Sequence, residues 1–203
     1  MFARLDRLVQ RLTAVVAITG GLGLLVATAV TCLSILFKLL RRGMEAVSWT
    51  PASLDWLRPI LGEEELVQYF VALALFAALP YVMYAKGHIT VDLFKTTFSP
   101  WLNRLFDLIG DIALTVIAYL LFSRQWSLLF KPARGDDPLW ITEALTGNWA
   151  EIADRLKDRP ESQILGIKLW PTYLVAEVLT ALFLAVGVFC IVRSARVLVR
   201  GAP

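Results

Sequence analysis

The chain has 203 residues, of which 58% are hydrophobic, and its mean hydropathy is +0.65. A water-soluble fold of this size has no interior large enough to hide that much apolar surface, so the composition places the chain in a membrane. Twenty basic and seventeen acidic residues leave a net charge of only +3. That excess is too small, and too interrupted by apolar runs, to specify nucleic acid.

A helix rises about 1.5 Å per residue, so crossing a hydrocarbon core of roughly 30 Å takes about 20 residues. Four segments meet that length: 13–40, 65–84, 103–130 and 170–192. Arg4, Arg7 and Arg11 precede the first and give it the look of a signal peptide. Its apolar run, 14–37, is longer than the apolar region of a signal and ends without a small-residue cleavage site, so it is expected to stay as an anchor. Within it, Ala17 and Gly21, then Gly23, Ala27 and Thr31, recur every four residues and predict a face that another helix approaches closely. The connection 41–64 carries Trp49, Trp56, Leu57 and Ile60 among polar residues and suits a short helix lying on the membrane surface.

The second span contains Pro80, which removes an amide donor and predicts a kink near 76–80. The stretch after it, YAKGHITVDLF (84–94), holds the chain's single histidine. Gly87 is expected to provide a tight exit by adopting backbone angles closed to other residues. His88 and Asp92, four apart, are placed to meet each other or a neighbouring loop.

In the third span Asp107 and Asp111 share a helix face, with Arg104 one turn before Asp107. An ion-pair ladder near the interface, a proton or cation site and a polar contact with a partner helix all suit this pattern. The connection 131–169 predicts two short amphipathic helices. One is 138–146, after the Asp137-Pro138 cap and ended by Gly147. The other is 149–158, with Asn148 and Glu151 at capping-box spacing. The fourth span opens on Trp170 and Pro171, residues suited to a headgroup layer and a first helical turn. Glu177 lies roughly 10 Å inside it, where a carboxylate needs a partner. Cys32 and Cys190 fall in apolar runs near opposite faces and read as small buried hydrophobes rather than a disulfide.

The side carrying both termini gathers nine basic and three acidic residues, the opposite side eleven and twelve. Charge balance and short flanks favour cytoplasmic termini, although the raw count of basic residues does not. Catalytic patterns are missing. One histidine does not supply paired haem ligands, and there is no His-Glu-x-x-His, Walker loop or Gly-x-Ser-x-Gly elbow. No cofactor or metal site is expected, and the chain is not expected to be an enzyme.

Lys86-Gly87-His88-Ile89-Thr90-Val91-Asp92-Leu93 resembles the Gly-His-Ile-x-Val-Asp-Leu signature of the DctQ-like small membrane subunits of tripartite ATP-independent periplasmic transporters. Leu61-Gly62-Glu63-Glu64 resembles the family's Gly-Glu lead into span two, and Leu165-Gly166-Ile167-Lys168-Leu169-Trp170-Pro171 its lead into the last helix. The resemblance implies a large multi-span transport subunit that carries substrate and sodium, and a soluble periplasmic substrate-binding protein that feeds it. It further implies an inner-membrane location with cytoplasmic termini and a scaffold-bracing role beside an elevator-type subunit, with organic anions as the substrate class.

The sequence therefore predicts an all-α integral membrane protein, 1–203 as one domain, with four transmembrane helices and amphipathic interfacial helices on the outer side. Lys86, Gly87, His88, Asp92, Asp111 and Glu177 are the candidate contacts to the large subunit. The alternative is a self-contained oligomeric carrier or channel that uses Asp107, Asp111 and Glu177. A small membrane enzyme or redox anchor is the weakest of the three readings.

Overall fold

Helical hydrogen bonding closes without apolar side chains, so each long helix of the computed structural model overruns the greasy stretch that locates it, at one end or both. The structure describes residues 2–46, 60–87, 99–131, 146–147, 149–156 and 160–200. Helix α1 is Phe2–Ala46, α2 Glu63–Tyr84, α3 Pro100–Leu129, α4 Trp149–Asp154 and α5 Trp170–Arg200. Helices α1, α2, α3 and α5 are each long and apolar enough to cross a membrane, and the protein is an all-α membrane protein.

Helix α1 has 45 residues and is roughly 67 Å long, over twice the hydrocarbon thickness. Residues 41–46, assigned from sequence to a surface connection, instead continue α1, helped by an Arg41–Glu45 pair at 2.9 Å. Trp49, Trp56 and Leu57 of that connection lie outside the described residues. Helix α3 starts at Pro100 because Ser99 caps it: the Ser99 hydroxyl accepts from Leu102 N at 3.4 Å, and a proline in the first turn forfeits no bond. Helix α4 stops at Asp154 because the chain turns away to pair with the end of α3. Leu156 bridges Phe130, and Lys131 N donates to Arg155 O at 2.9 Å. Most of the expected helix 138–146 lies outside the described residues; Gly147, after it, has the left-handed φ of +76°.

In space the helices run α1–α2–α5–α3: α1 packs on α2, α2 on α5, and α5 on α3. One end of the bundle, called proximal here, gathers the start of α1, the end of α2, the start of α3 and the end of α5. The opposite end is distal. Thr13, Gly20, Ala27 and Ser34 are buried at intervals of seven, with Gly23 between them, the period of two helices winding left-handedly. A Cβ on Gly20 would stand 2.7 Å from Ala77 Cβ and 3.2 Å from Ala74 Cα, so only glycine lets α1 and α2 approach this closely. Gly21 points into open space, so it does not share the small-residue face expected of it.

Of the four spans, helix α5 buries the largest share of its apolar stretch. Phe183, Val186 and Cys190 pack with Met83 of α2 and Ala118 of α3, and Val9 of α1 closes the cluster. Cys190 is buried as expected, whereas Cys32, also free, is exposed on the side of α1 away from its seam. Pro80 is buried within an unbroken α2.

Candidate functional site

The two ends of the bundle are tied by different chemistry. At the distal end, Gly62 precedes α2 with φ +71°, and Leu165 lies over it. A Cβ there would fall 2.5 Å from Leu165 Cγ, so both the backbone angle and the space demand glycine. Glu65 completes the clasp. Its carboxylate accepts from the Ser162 hydroxyl, from Ile164 N at 3.1 Å and from Leu165 N at 3.2 Å. Those amides belong to the turn that feeds α5, where they have no helical acceptor, and a carboxylate is a strong one. Lys38 of α1 pairs with Glu63, and Ser34 Oγ accepts from Ile60 N at 3.3 Å. The Leu61–Glu64 and Leu165–Pro171 motifs, about a hundred residues apart, thus meet in one structure.

At the proximal end, Arg193 of α5 is the hub. Its Nη2 donates to Tyr84 O at 3.0 Å, and its guanidinium lies 5.0 Å from the Tyr84 ring centroid. Its Nη1 is 3.9 Å from Asp6 Oδ1 of α1. Helix α2 then ends in a Schellman motif, with Gly87 N bonded to Val82 O and Lys86 N to Met83 O. Lys86 is the left-handed residue, φ +51°, and Gly87 is not among the residues with positive φ. The tight exit expected of Gly87 is made one residue earlier. Lys86 Nζ then reaches Asp107 Oδ2 at 2.8 Å.

Asp111 is buried, and its carboxylate accepts from the Ser194 hydroxyl. The two aspartates do share a face, but the carboxylates reach Lys86, just past the end of α2, and Ser194 of α5. Tyr84, Lys86, Arg104, Asp107, Arg193 and Ser194 surround a cavity of about 400 Å³. Glu177 stands elsewhere. It is 7% exposed, and neither carboxylate oxygen has a hydrogen-bond partner among the described residues. Asp111 sits beside Ser194, about 25 Å along α5 from Glu177. The three acids therefore do not line one site. His88 and Asp92 lie outside the described residues.

Arg193 and Glu65 were not singled out by sequence reasoning. Arg193 entered only among the nine basic residues on the side of the termini, and Glu65 only as the first residue of the second span. Their partners lie about a hundred residues away, and no local pattern encodes that pairing.

The sequence model for the DctQ component of tripartite ATP-independent periplasmic transporters matches residues 56–200, more than two thirds of the chain. No curated protein and no solved structure matches.

Proposed function

The chain belongs to the DctQ component family of tripartite ATP-independent periplasmic transporters, and from that premise we propose that it is the non-catalytic small membrane subunit of a sodium-coupled secondary transporter for organic anions. Its partners are a large multi-span transport subunit and a periplasmic substrate-binding protein. The chain forms a single membrane domain, 1–203, in a bacterial inner membrane with both termini cytoplasmic, and it braces the static scaffold beside the moving part of an elevator-type partner. The match across 56–200, which spans α2, α3 and α5, is the observation that carries this reading.

The geometry supports a brace. The charged groups at both ends tie helices of this chain to one another, as bracing requires. Lys86 and Gly87 are exposed and lead into the segment that holds His88 and Asp92, so these four make the direct contact with the large subunit. Asp111 and Glu177, the other two candidate contacts, are buried in this chain, and Asp111 joins α3 to α5 through the Ser194 hydroxyl. The self-contained carrier is the weaker reading because its three acids are dispersed.

Affinity purification of the tagged chain from native membranes in mild detergent tests the proposal. A large multi-span protein is expected to co-elute, and Lys86→Ala is expected to lower its yield severalfold. Elution of the chain alone, or solute flux through vesicles that contain only this chain, overturns the reading.

A further inference from the structure

Helix α1 begins outside the matched segment 56–200, so family membership assigns nothing to its first turns. Those turns carry a second cavity, a groove of about 620 Å³. Arg4, Arg7 and Arg11 edge it at positions i, i+3 and i+7, which fall on one helix face. Leu8, Leu12 and Val15 line its apolar wall at i, i+4 and i+7, and all three are exposed. No acidic side chain among the described residues lines it. Asp6, the nearby acid, is turned toward Arg193 and Tyr84 on the other side of α1.

We propose that this groove binds an anionic phospholipid of the leaflet at the proximal end, with its phosphate on the arginines and an acyl chain along Leu8, Leu12 and Val15. The observations fit together in three ways. Arg4 and Arg11, with no acid among the described lining residues, are complementary to a headgroup of net negative charge, and guanidinium groups grip phosphate oxygens in pairs. The arginines spread over roughly 10 Å of helix and end just before the apolar run, at headgroup depth. The leucines and Val15 continue from that depth into the bilayer, so one molecule satisfies both halves of the groove. A free phosphate would leave the apolar wall bare. An acidic segment of another protein would cover the arginines but has no need of a wall that descends into lipid. The inference rests on α1 crossing a membrane and is independent of the transport role.

The test is native mass spectrometry of the full chain, with whatever co-purifies. Phosphatidylglycerol and phosphatidylcholine of identical acyl chains are titrated in turn. The unaltered chain should retain phosphatidylglycerol at least tenfold better, and each arginine should account for about fivefold. Arg4→Gln with Arg11→Gln should abolish that preference, and Arg4→Lys with Arg11→Lys should largely keep it. Arg41→Gln with Arg42→Gln, the same charge change at the other end of α1, should alter it less than twofold. Leu8→Asn with Leu12→Asn should weaken both lipids.

Equal losses from the two glutamine pairs would reduce the effect to bulk charge and overturn the site. So would an undiminished preference without Arg4 and Arg11, or unchanged retention of both lipids without the leucines. If the Arg4 and Arg11 glutamine pair keeps the lipid preference but sheds a co-purifying protein, the groove seats that protein and the proposal fails. Free inorganic phosphate that competes with phosphatidylglycerol at equal concentration would equally assign the arginines to a soluble anion.

Discussion

Lys86 occupies a backbone conformation that costs an L-residue about 1–2 kcal/mol. Its ion pair with Asp107 joins side chains that are 38% and 47% exposed, so solvent screens it and about 0–1 kcal/mol is returned. The strain therefore exceeds the stability gained from that pair. Lys86→Gly should raise the stability of the chain by about 0.5–1 kcal/mol, whereas Lys86→Val, β-branched in a left-handed position, should lower it by about 1–2 kcal/mol. Gly87→Ala should change it by less than about 0.5 kcal/mol, since a Cβ there meets Val82 at an ordinary 3.6 Å. Thermal unfolding midpoints in one detergent decide the matter, and a destabilised Gly87→Ala protein would return the strained position to the glycine. Sequence reasoning chose Gly87 by residue type. It missed Lys86 because a helix ends where its hydrogen bonds close, and a neighbouring lysine can accept the left-handed turn when its side chain finds a carboxylate.

The four spans were legible because lipid leaves a helix as the only open chain that satisfies its own backbone, which makes apolar length a direct signal. Helix ends were less legible. Ser99 and Pro100 start α3 by capping chemistry rather than by hydropathy, and 41–46 prolong α1 although Arg41, Arg42 and Glu45 are charged. Helix faces were legible only in part. Gly23 does face Phe70 and Leu73 of α2 and Ala27 is buried, but a four-residue spacing read from Ala17 selects Gly21, whereas the seam follows a seven-residue period through Gly20. The two glycines give a paired prediction. Gly20→Leu drives a side chain into Ala77 and the backbone of Ala74 and should cost about 1–3 kcal/mol or more. Gly21→Leu meets nothing within 4 Å and replaces a poor helix former, so it should be neutral or slightly stabilising. SDS-unfolding curves followed by tryptophan fluorescence separate the two, and equal losses would mean that the α1–α2 seam does not run through Gly20.

For the whole molecule, the spatial order α1–α2–α5–α3 makes α2 and α5 the interior pair, and both ends of that pair are locked by one residue each. Glu65 holds the turn before α5 against the start of α2, and Arg193 holds the end of α2 against α5 and α1. Truncating Glu65 to alanine takes the carboxylate acceptor from the Ser162 hydroxyl and the Ile164 amide, leaves the Leu165 amide with Ser162 Oγ alone, and should lower the unfolding midpoint. Arg193→Ala should cost about 1–2 kcal/mol, because the guanidinium gives up a carbonyl bond and an aromatic face while part of its charge is already solvated. The two locks share no partner and are separated by the length of α2 from Glu65 to Tyr84, roughly 28 Å. Independent sites at that distance should combine within about 0.5 kcal/mol, so the double variant should lose the sum of the single losses. If the double loss instead departs from the sum by more than about 1 kcal/mol, the packed seam between α2 and α5 transmits the state of one end to the other. The bracing role proposed for this chain would need rigidity at both membrane faces, and independent locks would provide it, because loosening one face leaves the other holding. Unfolding curves of the four proteins in the same detergent distinguish an additive brace from a coupled one.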